Sequence, residues 1–232
     1  MSDINLPGFI KHEEGSVPAH LQQSGRGNDN VTSNDVVVPK LNLIQALSPQ
    51  VNSIGARPGQ LHLTLDDELM DSVYVVNIMY DRTFNVFKKR QLGGGFFGIF
   101  DTRQDAEKAI YEANPSHADD YDIQETGTHS VLVLDDNGAV KTPARIYMSG
   151  SKLAVSNAWN SAIITRSEGR DRFASVWQLG TTLMKQNNRE WFNFTVEFAG
   201  WCNEALYKEA DQLYSSINAT KQAQALASPE AA

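Results

Sequence analysis

The stretch SVYVVNIMYDRTFNVFKKR, residues 72–90, carries the reading of the fold. β-branched and aromatic side chains dominate it, and such residues pack well on a pleated sheet surface. Tyr74, Val76, Ile78 and Tyr80 alternate along it and are expected to face a core. The run is too long for one ordinary strand, so the polar triplet Asp81-Arg82-Thr83 is expected to mark a bend or a turn. In strand geometry Phe84, Val86, Lys88 and Arg90 share one face, and Asn85, Phe87 and Lys89 the other.

Elements on both sides agree with a strand-rich reading. Upstream, Arg57-Pro58-Gly59 marks a turn before the alternating QLHLTL (60–65), and order is expected to begin near VVVPKLNLIQALSPQ (36–50). Downstream, TRQDAEKAIYEA (102–113) reads as a surface helix, with Thr102 as its N-cap and Pro115 beyond its end. HSVLVLDDNGAVKTPARIYM (129–148) reads as a hairpin, because Asn137-Gly138 supplies the positive φ angles of a tight turn. In GSKLAVSNAWNSAIITR (150–166), Val155, Trp159 and Ile163 recur every four residues as on a helix face. FASVWQLGTTLMKQ (173–186) and EWFNFTVEFAG (190–200) form a second hairpin through Gln186-Asn187-Asn188. A helix over 201–224 follows, with Leu206, Ala210, Leu213 and Ile217 on one face.

The fold class expected is therefore α+β, an antiparallel sheet of hairpins with packed helices. Residues 1–34, rich in Gly, Ser, Asn, Gln and Asp, are expected to form a flexible arm. A single domain is expected over 35–224 and a short tail over 225–232. No apolar run approaches the roughly 18 residues a membrane span needs, and the N-terminus lacks the pattern of a secretory signal. A soluble protein of the cytoplasm is the expectation.

Charge is the second informative pattern. The formal net charge is -8, yet residues 82–90 hold four basic side chains and no acidic one, and residues 137–189 hold eight against two. Acidic stretches separate these segments, as they would around a localised anion-binding face. Lys88, Lys89 and Arg90 stand beside Gly93-Gly94-Gly95, and Arg82 precedes them. Around them Phe84, Phe87, Phe96 and Phe97 offer rings on which bases stack, each stack contributing about 1–3 kcal/mol. Phe84 and Phe87 read equally well as core. The second segment adds Lys141 and Arg145 on the hairpin, Lys152 at a helix start, and Arg166, Arg170 and Arg172 after it. With Glu168 and Asp171 interspersed, that last turn reads equally as a solvated salt-bridge loop. The nucleic-acid-binding residues expected are thus Arg82, Phe84, Phe87, Lys88, Lys89, Arg90, Phe96, Phe97, Lys152, Arg166, Arg170 and Arg172.

Other chemistries find little support. Gly93, Gly95 and Gly98 match GxGxxG, but cations precede them and no helix opens after them, so no nucleotide cofactor is expected. One cysteine, Cys202, and five scattered histidines give no metal-ligand spacing, so no metal is expected either. The adjacent acids Asp66-Asp67-Glu68, Asp119-Asp120 and Asp135-Asp136 lack a partnering His or Lys, and no catalytic residues are expected.

Several phrases in order, PKLNLIQALSPQ (39–50), ARPGQLHLTLDDELMDSVYVVNIMYDRTFNVFKKR (56–90), a Gly-rich turn and IYMSGSKLAVSNAWNS (146–161), carry a resemblance. Over roughly residues 36–215 the chain resembles the single-stranded-DNA-binding proteins of tailed phages. Within these it is most similar to the RNA polymerase cofactors of lytic phages that encode their own polymerase. The resemblance implies an α+β fold distinct from the OB barrel, binding to unwound single-stranded DNA, self-association into a homo-oligomer, and recruitment of a phage RNA polymerase to melted promoters. Its tail QAQALASPEAA (222–232) departs from the strongly acidic tails of many replicative single-strand binders, which moves any polymerase contact elsewhere, with the N-terminal arm as candidate. A phage structural or assembly protein that binds no nucleic acid is the alternative reading.

Overall fold

A computed structural model describes residues 26, 27, 30, 31 and 37–227, with side chains as far as 222. The chain divides into two units, residues 1–37 and 38–232. The arm expected over 1–34 therefore lies almost wholly outside the described residues, as does the tail beyond 227.

The second unit runs in order through β1 (Leu41–Leu43), α1 (Gln50–Ser53), β2 (Leu61–Leu63), β3 (Glu68–Met70) and β4 (Val73–Lys88). β5 (Phe96–Phe100), α2 (Arg103–Ala113), β6 (Tyr121–Leu134), β7 (Val140–Ser149) and α3 (Lys152–Ser167) follow. β8 (Ser175–Gln186), β9 (Arg189–Trp201) and α4 (Glu204–Ala227) complete it. The fold is α+β. A three-stranded antiparallel sheet has the order β1-β2-β3, and a six-stranded one the order β7-β6-β4-β8-β9, with β5 also paired to β4. All pairings between these strands are antiparallel, and neither sheet closes into a barrel. No helix among the described residues is long and apolar enough to cross a membrane.

The stretch 72–90 departs from its expected break. It forms one strand of 16 residues, and Asp81-Arg82-Thr83 lies inside it. The cause is a long partner, since β6 pairs with it from Val75 to Lys88 and the ladder shifts register only between Asn77 and Met79. The single extra residue is absorbed as a bulge, with no need for a turn. Polar side chains at 81 and 82 find partners on the surface: Asp81 accepts from Lys221 Nζ at 2.6 Å, and Arg82 lies 3.7 Å from Glu125.

Both faces of β4 are covered over its first half, so Val75, Val76, Asn77 and Ile78 are all buried, against the expected alternation, while Tyr74 is exposed. On one face Val73 and Val75 meet Leu41, Leu43, Leu61 and Leu63 of the small sheet, with Trp159 and Ile163 of α3. On the other, Val76 and Ile78 meet Leu206 and Ala210 of α4, flanked by Leu213 and Ile217. Beyond the bulge a third cluster forms on the α3 side, where Phe84 and Val86 pack against Ala106 and Ile110 of α2. α4 also meets the sheet near Asp81, through Lys221. On that side Phe87 is exposed, and Thr83 and Asn85 are half-buried.

The hairpin β6–β7 turns through Asn137-Gly138, with Gly138 at φ 80°, and β8–β9 turns through Asn187 and Asn188 at φ 46° and 59°. β6 extends further than expected, back to Tyr121. Gly127 in it permits a close approach, because a Cβ there would stand 2.7 Å from Ser156 Oγ. The last helix begins at Glu204, where Asn203 Oδ1 accepts from the Leu206 N–H at 2.9 Å, and reaches Ala227.

Candidate functional site

The tip of the β4–β5 hairpin gathers the first group of expected residues. β4 and β5 pair down to Phe87 opposite Phe96, and the Lys88 N–H donates to the Gly95 carbonyl at 2.8 Å. A 3₁₀ turn over Arg90–Leu92 then leads into Gly93, Gly94 and Gly95 at φ 97°, 66° and 129°. All three lie in the left-handed region that favours glycine, so these glycines close the tip. They do not bind a dinucleotide in the Rossmann manner, since β5 and no helix follows them.

At this tip Phe87 and Phe96 meet edge to face, ring centres 5.7 Å apart, and are 37% and 61% exposed. Arg90 is exposed, and neither it nor Lys88 has a carboxylate partner among the described residues. Lys89 Nζ donates to the Asp119 carbonyl, which ties its ammonium to the segment before β6. The other two aromatic candidates face inward. Phe84 is 9% exposed beneath α2, and Phe97 packs edge to face on Tyr121 at 5.1 Å. Phe84 therefore belongs to the core and presents no ring for stacking.

The Phe87 face of the sheet continues from the tip. Phe87, Asn85 and Thr83 share one face of β4, and across the register Thr126 and Thr128 of β6 and Tyr147 of β7 lie on that same face. Asn85 Nδ2 donates to Thr126 Oγ1 at 3.1 Å. A groove of 490 Å³ runs here, between Asn85, Ile99, Thr128 and Tyr147 on one side and Leu213 and Ile217 of α4 on the other. At its β7 edge the Lys40 ammonium sits 5.8 Å from the centre of the Tyr147 ring, and Arg145 is exposed beside it. Lys40 and Tyr147 were not among the expected residues. The signal for Tyr147 was the exposed alternation of β7, where Lys141, Arg145 and Tyr147 fall on the face opposite Ala144, Ile146 and Met148.

The chain matches the model of one family, described as Pam3 phage gp34-like protein, over residues 11–223. It belongs to that family. No curated protein and no solved structure matches it. The gp34-like family is a phage family, so the bacteriophage context expected from the phrase order stands.

In this gp34-like chain the second basic segment lies away from the tip. Arg172 is half-buried: its Nε donates to Asn77 Oδ1 at 2.7 Å and its Nη2 to Asn160 Oδ1 at 2.5 Å, with the Tyr80 ring 5.7 Å from the guanidinium. Burial lowers its pKa to about 10, partly offset by Tyr80. It joins β4 to α3 and is no free phosphate contact. From Asn77, where it docks, to Lys88 the strand runs roughly 35 Å at ~3.3 Å per residue. Arg166 lies over the Phe198 ring at 4.8 Å, and Arg170 over Trp201 at 5.9 Å with Glu168 at 3.4 Å. Lys152, at the start of α3, has its pKa lowered by burial. The structure thus brings Phe87 and Phe96 together at the turn that carries Lys88, Lys89 and Arg90, and does not bring Arg166, Arg170 and Arg172 to them.

The paired acids serve local structure. Asp67 Oδ1 lies 2.8 Å from His62 Nε2, and Asp135 Oδ1 accepts the N–H groups of Asn137 and Ala139 in the hairpin turn at 2.9 and 2.8 Å. Cys202 donates to the Phe173 carbonyl at 3.3 Å, and burial raises its thiol pKa to about 11, so little thiolate is present near neutral pH.

Proposed function

We propose that this gp34-like protein is a non-enzymatic single-stranded DNA-binding protein, gripping the strand at the tip of the β4–β5 hairpin. One observation supports the reading above the others. Two exposed phenyl rings, Phe87 and Phe96, stand on the same turn as Lys88, Lys89 and Arg90. Rings offer stacking to any base, and cations track a phosphate backbone, so the tip suits a flexible polyanion without sequence preference. DNA as the nucleic acid, self-association and recruitment of a phage RNA polymerase to unwound promoters come from the resemblance of the sequence and belong to the proposal on that ground.

The test is fluorescence anisotropy of a labelled oligothymidylate at low and moderate salt. Replacing Lys88, Lys89 and Arg90 together by Ala is expected to weaken binding about tenfold or more at low salt, with far-UV circular dichroism unchanged. Absence of binding by the unaltered protein, or equal binding by the triple variant, would end the reading. Large closed shells or rings in sedimentation without DNA would turn it toward the assembly-protein alternative.

A further inference from the structure

We propose that the open face of the sheet is a second contact for the same strand, with Tyr147 stacking a base and Lys40 and Arg145 holding the flanking phosphates. The inference rests on the single-strand reading of the hairpin tip and extends it to residues remote from that tip.

Tyr147 projects from the core because its neighbours Ile146 and Met148 fill it, and the ring is 40% exposed. An exposed tyrosine alone is ordinary. This one is built into a fixed setting. Lys40 is pinned to the edge of β7 by its bridge to Arg145, by the Arg145 N–H donating to the Pro39 carbonyl at 2.8 Å, and by its own N–H donating to Thr64 Oγ1 at 2.9 Å. Its ammonium lies 5.8 Å from the Tyr147 ring centre. Ring and cations are presented together before any ligand arrives, which lowers the entropy lost on binding.

Charge separates these cations from their neighbours. Lys141 is paired with Glu68, Lys221 with Asp81 and Arg82 with Glu125. Lys40 and Arg145 have no carboxylate within ion-pair distance among the described residues. Asp101, on the groove wall, opposes an anion there and favours a path on which phosphates follow the Lys40–Arg145 edge and bases turn inward. Inside, Thr83, Asn85 and Thr128 line the groove and bring amide and hydroxyl groups to it. The groove itself mixes these groups with apolar side chains such as Ile99, Leu213 and Ile217, and it is the unpaired cations at its rim that favour a polyanionic strand over an apolar partner helix.

Continuity with the tip completes the case. Tyr147 is opposite Thr128, which is opposite Asp81, and Phe87 lies further along that strand on the same face. The separation is roughly 20 Å along the strands and about 10 Å across them, from rises of ~3.3 Å and spacings of ~4.8 Å. A strand of only a few nucleotides occupies one contact, and a longer one reaches both and gains avidity.

The experiment is anisotropy with labelled oligothymidylates graded from about 4 to about 20 nucleotides. Tyr147→Ala is expected to lose about tenfold on the long oligonucleotides and little on the shortest, with Tyr147→Phe close to wild type. The double variant Lys40→Glu/Arg145→Glu, which leaves the ring in place, is expected to show the same dependence on length. If both variants bind every length as wild type does, while the tip triple variant loses binding, the open face is not a contact and the hairpin reading survives alone. Failure of the unaltered protein to bind any length would overturn both.

Discussion

His129 is fully enclosed. Its Nδ1 lies 3.0 Å from Asn77 Nδ2 and 3.4 Å from Arg172 Nη2, its Nε2 lies 2.8 Å from Ser156 Oγ, and its ring stacks on Trp159 at 4.6 Å. Burial first and the Arg172 charge second lower its pKa to about 3. In the unfolded chain the ring titrates near 6.5, so below that pH the unfolded state binds a proton that the folded state refuses. The stabilising contribution is complete above about pH 6.5 and falls as pH drops toward 3, by about 1.4 kcal/mol per pH unit from this group. His129→Gln removes that dependence. Urea midpoints at pH 7.5, 6 and 5 are expected to show the wild-type advantage over the variant shrinking with acid, and a constant gap would overturn the buried neutral ring. Nothing in the sequence singled out this residue, since one histidine among five has no periodicity. Phe84 and Phe87 were different, because their opposite faces were readable from alternation. Which of those faces α2 would cover depends on contacts distant in sequence.

Local chemistry made some elements legible. Thr102 Oγ accepts from the Asp105 N–H at 3.1 Å, the cap that the sequence placed at the start of α2. Thr102→Ala is expected to destabilise by about 1 kcal/mol, read as a lower urea midpoint at unchanged slope. The hairpin turns were legible for the same reason, as Asn and Gly announce positive φ within two residues. β4 was misread because strand length is set by partners. The polar triplet at 81–83 looks like punctuation until β6 is seen running beside it, and the outer half of β6, YDIQETGT, is too polar to announce a strand. α2 covers one side of that outer half, and on the other Asp122 and Gln124 are exposed, so its composition matches an antiparallel sheet with one face partly in water.

Across the molecule, segregation of charge was visible in the sequence, but the assembly of its pieces was not. The two basic segments lie apart, the second largely spent on Arg172's bonds and on cation–ring contacts with Phe198 and Trp201. What remains is a positive tip and the Lys40–Arg145 edge, on a chain of net charge -8. Such a chain attracts DNA only where its cations are local and unpaired, and general field steering works against it. The dependence on salt therefore reports the contacts directly. For a single strand, log K falls against log salt with a slope of about -0.7 per phosphate neutralised. Removing Lys88, Lys89 and Arg90 together is expected to flatten that slope by about 2. The measurement is a titration of oligothymidylate binding across several salt concentrations for the wild type and the triple variant. Parallel slopes with weaker binding would mean that the tip acts through its rings and its shape, with phosphates held elsewhere. A flattened slope with the rings intact would assign the electrostatic grip to those three side chains.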